Sequence, residues 1–189
     1  VDVIRYEAYQ DLMRMPAFNE EDDIFAPIIP SASRRAIWLG INLITAILAS
    51  WVIGLFETTI DKIVALAVLM PIVASMGGIA GSQTLTLAIR GIALGQLSAG
   101  NARALLFKEL AVGTLNSLIW AAVVAAIAGV WFNSSGIAIL IAIALTINMV
   151  FAAIAGSLLP LLLQRIGIDP ALAGSVLLTT VTDVVGFMA

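Results

Sequence analysis

The sequence predicts an all-α integral membrane protein with five membrane-spanning helices and one amphipathic helix at its N-terminus. Hydrophobic residues make up 61% of the 189 residues and charged residues 11%, and the mean hydropathy is +1.10. Soluble domains are about half apolar and about a quarter charged. Five apolar runs each hold the roughly 20 helical residues that cross a bilayer. Basic residues concentrate in alternate loops, as in multi-pass proteins.

The first 33 residues are predicted to be a cytosolic segment, with a helix over 1–15 followed by an acidic linker. Apolar and charged side chains alternate in the helical part with amphipathic spacing. Residues 1–30 contain seven acids and two bases. The acidic run is either a solvated linker or a surface that senses divalent cations. The chain begins at Val1 rather than at Met, and no signal peptide is visible, so we expect it to be part of a longer protein whose N-terminal part is missing.

The membrane domain is predicted to cover residues 34–189. Its spans are expected at 36–56, 63–89, 106–132, 137–163 and 170–189. Pro71 and Pro160 interrupt the second and fourth spans, which favours kinks or tilt at these positions.

Basic side chains predict the orientation, because short loops rich in Lys and Arg stay in the cytoplasm. With a cytoplasmic N-terminus, the outer loops contain one basic residue, Lys62. The inner loops then contain Arg34, Arg35, Arg90, Arg103, Lys108 and Arg165. We therefore expect a plasma (inner) membrane protein with its N-terminus inside and its C-terminus outside.

The residue inventory argues against several classes of function. The chain has no Cys and no His, which removes thiol nucleophiles, histidine bases and zinc sites built from these ligands. A net charge of −3 without a basic face gives no support to nucleic-acid binding. No phosphate-binding loop of the Gly-x4-Gly-Lys-Ser/Thr type occurs. An enzyme is not expected, and a bound metal ion would meet oxygen ligands, which suit Mg²⁺.

Asp183 is the candidate functional residue, because it lies in an otherwise uncharged apolar run over residues 170–189. A carboxylate there costs about 2.5–3.5 kcal/mol on insertion scales, which indicates a wet path or a protein interior around it. Ser175, Thr179 and Gly186 fall on the same helical face. The hypothesis is that a cation moves past Asp183, and the alternative is a structural hydrogen bond to a neighbouring span.

The second span has a glycine-rich centre at Gly77 and Gly78, followed by Ser82 and Gln83. Glycine weakens a helix by about 1 kcal/mol relative to alanine, so freed carbonyl groups can line a cavity, as in transporters with broken helices. The alternative is close helix packing through Gly77 and Gly81. Gly77, Gly78, Ser82 and Gln83 are candidates for the lining of a pore.

Other polar positions have simpler interpretations. Glu109 adjoins Lys108 near the expected cytoplasmic end of the third span, where snorkelling to the interface is the simpler account. Asn148 begins a small-residue stripe in the fourth span, which is typical of helix packing. Glu57 and Asp61, after the first span, are either loop acids or a negative outer mouth that concentrates cations.

Four segments resemble the transmembrane domain of the MgtE family of magnesium channels, and the resemblance runs through the chain in order. The segments are Pro71–Gln83, Phe107–Gly113, Ile168–Leu172 and Thr182–Phe187. The resemblance implies a five-helix protomer in a two-fold homodimer within the lipid bilayer, with a pore along the dimer axis. It also implies upstream cytosolic N and CBS domains that sense Mg²⁺ and close the pore.

The resemblance further implies roles for individual residues. Asp183 matches the family's pore-facing aspartate that holds hydrated Mg²⁺, and Ser175 and Thr179 match the neighbouring pore-facing positions. Two residues depart from the family pattern. Ser175 stands where many members carry Asn, and Ile79 replaces the Asn of the usual Gly-Gly-Asn sequence.

We therefore expect a passive channel domain that moves hydrated Mg²⁺ into the cytoplasm down its electrochemical gradient. Asp2, Glu7 and Asp11 match acids of the family's plug helix, which implies a cytosolic regulatory Mg²⁺ site. No organic cofactor is expected. The alternative is an ion-coupled secondary transporter of another divalent cation, such as Co²⁺ or Mn²⁺.

Overall fold

The structure is a computed structural model, and it describes residues 27–98 and 100–189 as helices joined by turns. The helices are α1 (Ile28–Gly54), α2 (Glu57–Lys62), α3 (Val64–Ala93), α4 (Ala102–Phe132), α5 (Ser135–Arg165) and α6 (Pro170–Met188). No strand occurs in these two ranges. The helix expected over 1–15, with Asp2, Glu7 and Asp11, lies outside the described residues.

Five of these helices are long and apolar enough to cross a bilayer, the exception being the six-residue α2. The three longest, α3, α4 and α5, contain 30, 31 and 31 residues. At 1.5 Å per residue each is about 45 Å long, which exceeds a hydrocarbon core of about 30 Å. The prediction of an all-α, multi-pass membrane protein is confirmed.

The first span starts earlier than the sequence predicts. α1 begins at Ile28 rather than near residue 36, so residues 28–33, predicted as the end of the linker, are helical. Prolines are tolerated in a first turn, because the first four N–H groups of a helix have no partner within it. The predicted boundary between residues 33 and 34 therefore falls inside a helix.

Two helices continue through residues that often interrupt helices. α3 contains Pro71 and α5 contains Pro160, and both are continuous. α3 also stays helical through Gly77 and Gly78. The broken-helix interpretation of this segment is therefore wrong, and its glycines need another explanation.

The central helix of the protomer is α5, which packs against α3, α4 and α6. It also carries more buried side chains than any other described helix. α3 and α6 pack on each other, whereas α3 and α4 barely touch. α1 packs mainly on α6, and α2 lies against α3.

Glycines set the close approach between α3 and α6, which run antiparallel. A Cβ atom at Gly81 would lie 2.8 Å from Leu178, and one at Gly174 would lie 3.1 Å from Leu85. Small residues are typical of such contacts, because helices in a bilayer associate through close packing. This register places the centre of α3 beside the last turns of α6.

Candidate functional site

The helix that carries Asp183 has a fixed starting point. The Asp169 carboxylate accepts a hydrogen bond from the Ala171 N–H at 2.8 Å, and Pro170 occupies the first helical position. An aspartate cap followed by proline is a favourable helix start. Asp183 follows about 20 Å further along the axis, at 1.5 Å per residue.

Two faces of α6 differ in their surroundings. The packed face consists of Ala173, Gly174, Leu178, Thr182 and Gly186, all buried. The open face consists of Ser175 and Thr179, which are exposed, and Asp183, which is partly buried. The three predicted residues Ser175, Thr179 and Asp183 therefore share one surface of the protomer.

The Asp183 carboxylate has no hydrogen-bond donor and no ion-pair partner among residues 27–98 and 100–189. An ionised carboxylate away from bulk water is costly unless it is paired or hydrated. The structural hydrogen bond to a neighbouring span, which was the alternative for this residue, does not occur in this part of the chain. The carboxylate is thus available to water or to a cation.

The open side of α3 continues the open face of α6. Gly78 lies at the contact between the two helices, since a Cβ atom there would be 3.9 Å from Thr182 Oγ1. Ser75 and Ser82 are exposed on the same side of α3 as Gly78. We name the combined surface the polar strip: Ser75, Gly78 and Ser82 of α3, and Ser175, Thr179 and Asp183 of α6.

Gly77 and Gly186 lie inside the protomer rather than on the polar strip. They flank the side chain of Asn148, which is fully buried and whose Nδ2 donates to the Val73 carbonyl at 2.8 Å. A Cβ atom at Gly186 would be 2.7 Å from this Nδ2, and one at Gly77 would overlap it. The two glycines therefore form a slot for Asn148, in line with its interpretation as a packing residue.

One side of the polar strip carries an apolar side chain. Ile79 is 56% exposed on the open side of α3. Gln83, a predicted lining residue, is exposed one turn further along the same helix. Ile79 and Gln83 share a shallow pocket with Gly78 and Ser82 of the polar strip. They also line the cavity between α3 and α4, so they border the strip on its α4 side.

Glu109 is buried, and the prediction that it snorkels to the interface is wrong. It is 6% exposed, and its Oε2 accepts a hydrogen bond from Thr84 Oγ1 at 3.0 Å. Its Oε1 lies 3.6 Å from Lys108 Nζ. The sequence alone does not indicate the bond between Thr84 and Glu109, because it joins two helices and no local spacing marks it.

Known proteins match this chain over most or all of its length. The sequence profile of the MgtE family, described as divalent cation transporters, matches residues 70–189. This chain belongs to the MgtE family. The magnesium transporter MgtE of Thermus thermophilus is 30% identical over 191 residues, which cover 100% of this chain and 42% of that relative.

Two further MgtE relatives give the same picture. The magnesium transporter MgtE of Bacillus subtilis is 26% identical over 188 residues, covering 100% of this chain and 42% of the relative. That of Enterococcus faecalis is 28% identical over 183 residues, covering 97% and 40%. The chain thus spans about two-fifths of the length of these relatives. The expected family resemblance is confirmed, and the family is one of transporters.

The two acids predicted as loop acids or as a negative outer mouth lie in α2 of this MgtE-family chain. Glu57 and Asp61 are exposed, and α2 lies at the end of the bundle where α6 ends, since both border a cavity of about 210 Å³. Within residues 27–98 and 100–189, no three acidic side chains are close enough to share a metal ion. Asp183 is the one acidic residue of the polar strip, so a cation on the strip of one protomer would meet a single carboxylate.

Proposed function

We propose that this chain is the membrane part of a passive channel that conducts hydrated Mg²⁺ into the cytoplasm past Asp183. The observation that carries the proposal is the polar strip, where a carboxylate without a partner among the described residues lies on an open face beside hydroxyl groups. The names of the relatives, which are magnesium transporters, support Mg²⁺ as the ion.

The chemistry of the polar strip suits a hydrated ion. Mg²⁺ gives up its water reluctantly and is usually held by one or two carboxylates with several waters retained. Thr179 Oγ1 donates to the Ser175 carbonyl at 2.9 Å, which leaves its oxygen lone pairs free to accept hydrogen bonds from water. In this proposal Asp183 attracts the ion, and the hydroxyl groups of Ser175, Thr179 and Ser82 contact its water shell.

The exposure of the polar strip supports a homodimer. A row of hydroxyl groups with one carboxylate is unfavourable against lipid tails. A two-fold axis brings the same surface of each copy together, so two polar strips would enclose one water-filled path. Each copy would contribute one Asp183, which gives the two carboxylates that Mg²⁺ commonly uses.

Direction and energy source follow from the membrane potential. Moving one elementary charge through 100 mV contributes about 2.3 kcal/mol, so a divalent ion gains about 4.6 kcal/mol on entering a negative interior. With the N-terminus inside, Glu57 and Asp61 would lie at the outer end and concentrate cations there. Upstream N and CBS domains, together with Asp2, Glu7 and Asp11, would regulate opening through cytosolic Mg²⁺.

The test is Mg²⁺ uptake into proteoliposomes at an imposed inside-negative potential. We expect Asp183→Asn to lower uptake at least tenfold, since it removes the charge and keeps the shape. The matched control is Asp169→Asn, which removes a carboxylate at the start of the same helix. Asparagine caps helices as well as aspartate does, so its uptake should stay within twofold of the unmodified chain.

Three outcomes would contradict the proposal. Equal uptake by the unmodified chain and Asp183→Asn would show that Asp183 does not contribute to the ion path. Uptake that depends on a pH or Na⁺ gradient would favour the ion-coupled transporter of Co²⁺ or Mn²⁺. Light scattering can measure the oligomeric state in the detergent used to purify uptake-competent protein. A monomer under these conditions would rule out a pore on a dimer axis.

A further inference from the structure

The outside of the protomer has a groove where α3 and α4 diverge on either side of α5. The groove encloses a cavity of about 640 Å³. Met149 and Ala153 of α5 form its floor. Its walls carry both apolar and amide side chains, namely Met76 and Gln83 of α3 and Asn116 and Trp120 of α4. Because α3 and α4 barely touch, the groove opens sideways, toward the bilayer in a single protomer.

A second cavity, of about 470 Å³, extends the groove toward the turn between α3 and α4. The two cavities share Leu87 and Lys108 among their lining residues. The second cavity is also lined by Arg90 and by the amide side chains of Gln96 and Asn101. None of the described residues that line it is acidic, so this end of the groove is positively charged.

We propose that the groove binds an anionic phospholipid, with one acyl chain between α3 and α4 and the phosphate against Arg90 and Lys108. The dimensions agree with this ligand. Met76 and Arg90 are about 21 Å apart along α3 at 1.5 Å per residue. Half of a bilayer with its headgroups is about 20–22 Å thick, so the groove extends over the length of one lipid in one leaflet.

Charge decides between lipid classes. Basic pockets between spanning helices bind anionic headgroups, and an arginine side chain can contact a phosphate through two parallel hydrogen bonds. Arg90 and Lys108 are both exposed, and the Lys108 side chain is 64% exposed, so both can reach a headgroup. Because Lys108 Nζ lies 3.6 Å from Glu109 Oε1, the groove has one net positive charge. A neutral or zwitterionic lipid would leave this charge without a counter-charge.

Glu109 is the one acidic residue among the described residues that line the groove. Its carboxylate is already engaged by Thr84 Oγ1 at 3.0 Å and by Lys108 Nζ at 3.6 Å. Its charge is therefore compensated within the protein. In the proposed site Glu109 is a positioning residue that holds the Lys108 ammonium group where the apolar and basic parts of the groove meet.

The first experiment measures lipid retention by native mass spectrometry of the purified chain. The probes are dioleoylphosphatidylglycerol and dioleoylphosphatidylcholine, which differ only in the headgroup. We expect the anionic lipid to be retained at a concentration at least tenfold lower. The double variant Arg90→Gln/Lys108→Gln should lose this preference, and the control Arg165→Gln, at the same end of the bundle but outside the groove, should keep it.

The second experiment uses Trp120 as a probe of the acyl chain. Phosphatidylglycerol with brominated acyl chains should quench the fluorescence of Trp120 more strongly than brominated phosphatidylcholine does. Trp120→Phe supplies the background from the other tryptophans. This readout needs only the unmodified groove, so it remains decisive if the double variant does not fold.

Three results would overturn the proposal. Equal retention of the two lipids would remove the headgroup contact. Absence of any quenching beyond the Trp120→Phe background would remove the acyl chain from the groove. Because the chain has no Cys, Val112→Cys provides a single thiol at the groove. A disulfide between two copies through this thiol would show that a second protomer, rather than a lipid, covers it.

Discussion

The two faces of α6 are built from similar small side chains, yet they serve different purposes. On the packed face, Gly174 and Gly186 allow α3 and α5 to approach α6 closely. An added Cβ atom would lie 3.1 Å from Leu85 at Gly174 and 2.7 Å from Asn148 Nδ2 at Gly186. On the open face, the hydroxyl groups and Asp183 form no hydrogen bond to another of the described helices. Thr182 and Asp183 are neighbours in sequence but lie on different faces. The packed face thus fixes where α6 lies, and the open face supplies the polar groups proposed to contact the ion.

The largest effect on stability is expected from Gly186→Val on the packed face. The new Cβ would lie 2.7 Å from Asn148 Nδ2, and overpacking of this kind costs about 3 kcal/mol. The free energy of unfolding in detergent, measured by titration with sodium dodecyl sulfate, should fall by this amount. Gly40→Val is the matched control, because nothing lies within 4 Å of a Cβ at Gly40. Equal losses in the two variants would show that the packed face has no special role.

A smaller loss is expected from Asn148→Ala, which empties the slot between Gly77 and Gly186. The variant loses the hydrogen bond to the Val73 carbonyl, worth about 0.6–1.7 kcal/mol in a membrane bundle, and leaves a cavity, so we expect a total loss of about 2 kcal/mol. Asn148→Leu is bulkier than the slot allows, and this overpacking should cost more than the cavity does, about 3 kcal/mol. Unfolding titrations of both variants check this order. The reverse order would mean that the slot is not packed around the side chain.

The smallest effects on stability are expected when threonine is replaced by valine at one position on each face. These two variants also give the sharpest contrast between the faces in Mg²⁺ uptake. Thr179→Val and Thr182→Val both replace a hydroxyl that donates to a carbonyl of the same helix, so each should change stability by less than about 1 kcal/mol. Mg²⁺ uptake should fall several-fold for Thr179→Val and stay unchanged for Thr182→Val. Loss of uptake in the second variant alone would reverse the roles of the two faces.

The sequence was sufficient for those features that depend on one helix at a time. Long apolar runs have few solutions in a bilayer, so the five spans follow from hydropathy. Ser175, Thr179 and Asp183 share a face because helical periodicity alone places them together. The start of α1 was less certain, since the proline-containing residues 28–33 lack the polarity and the periodicity that mark a helix boundary.

Features that depend on pairs of helices were beyond the sequence. Gly186 has nearly the same angular position on α6 as the open face, yet the neighbour beside it is Asn148 of α5. The bond between Thr84 and Glu109 joins helices that otherwise barely touch. Periodicity shows which residues share a face, but only the packing of the other helices shows whether that face meets protein, lipid or water.

The contact between α1 and α6 joins the first spanning helix of the described chain to the last. Since α1 packs mainly on α6 and exposes most of its remaining surface, it is held to the bundle chiefly through the helix that carries Asp183. A displacement of the start of α1 would therefore act mainly on α6, the helix on which α1 packs. A change in the position of α1 would thus bear directly on the helix that carries Asp183.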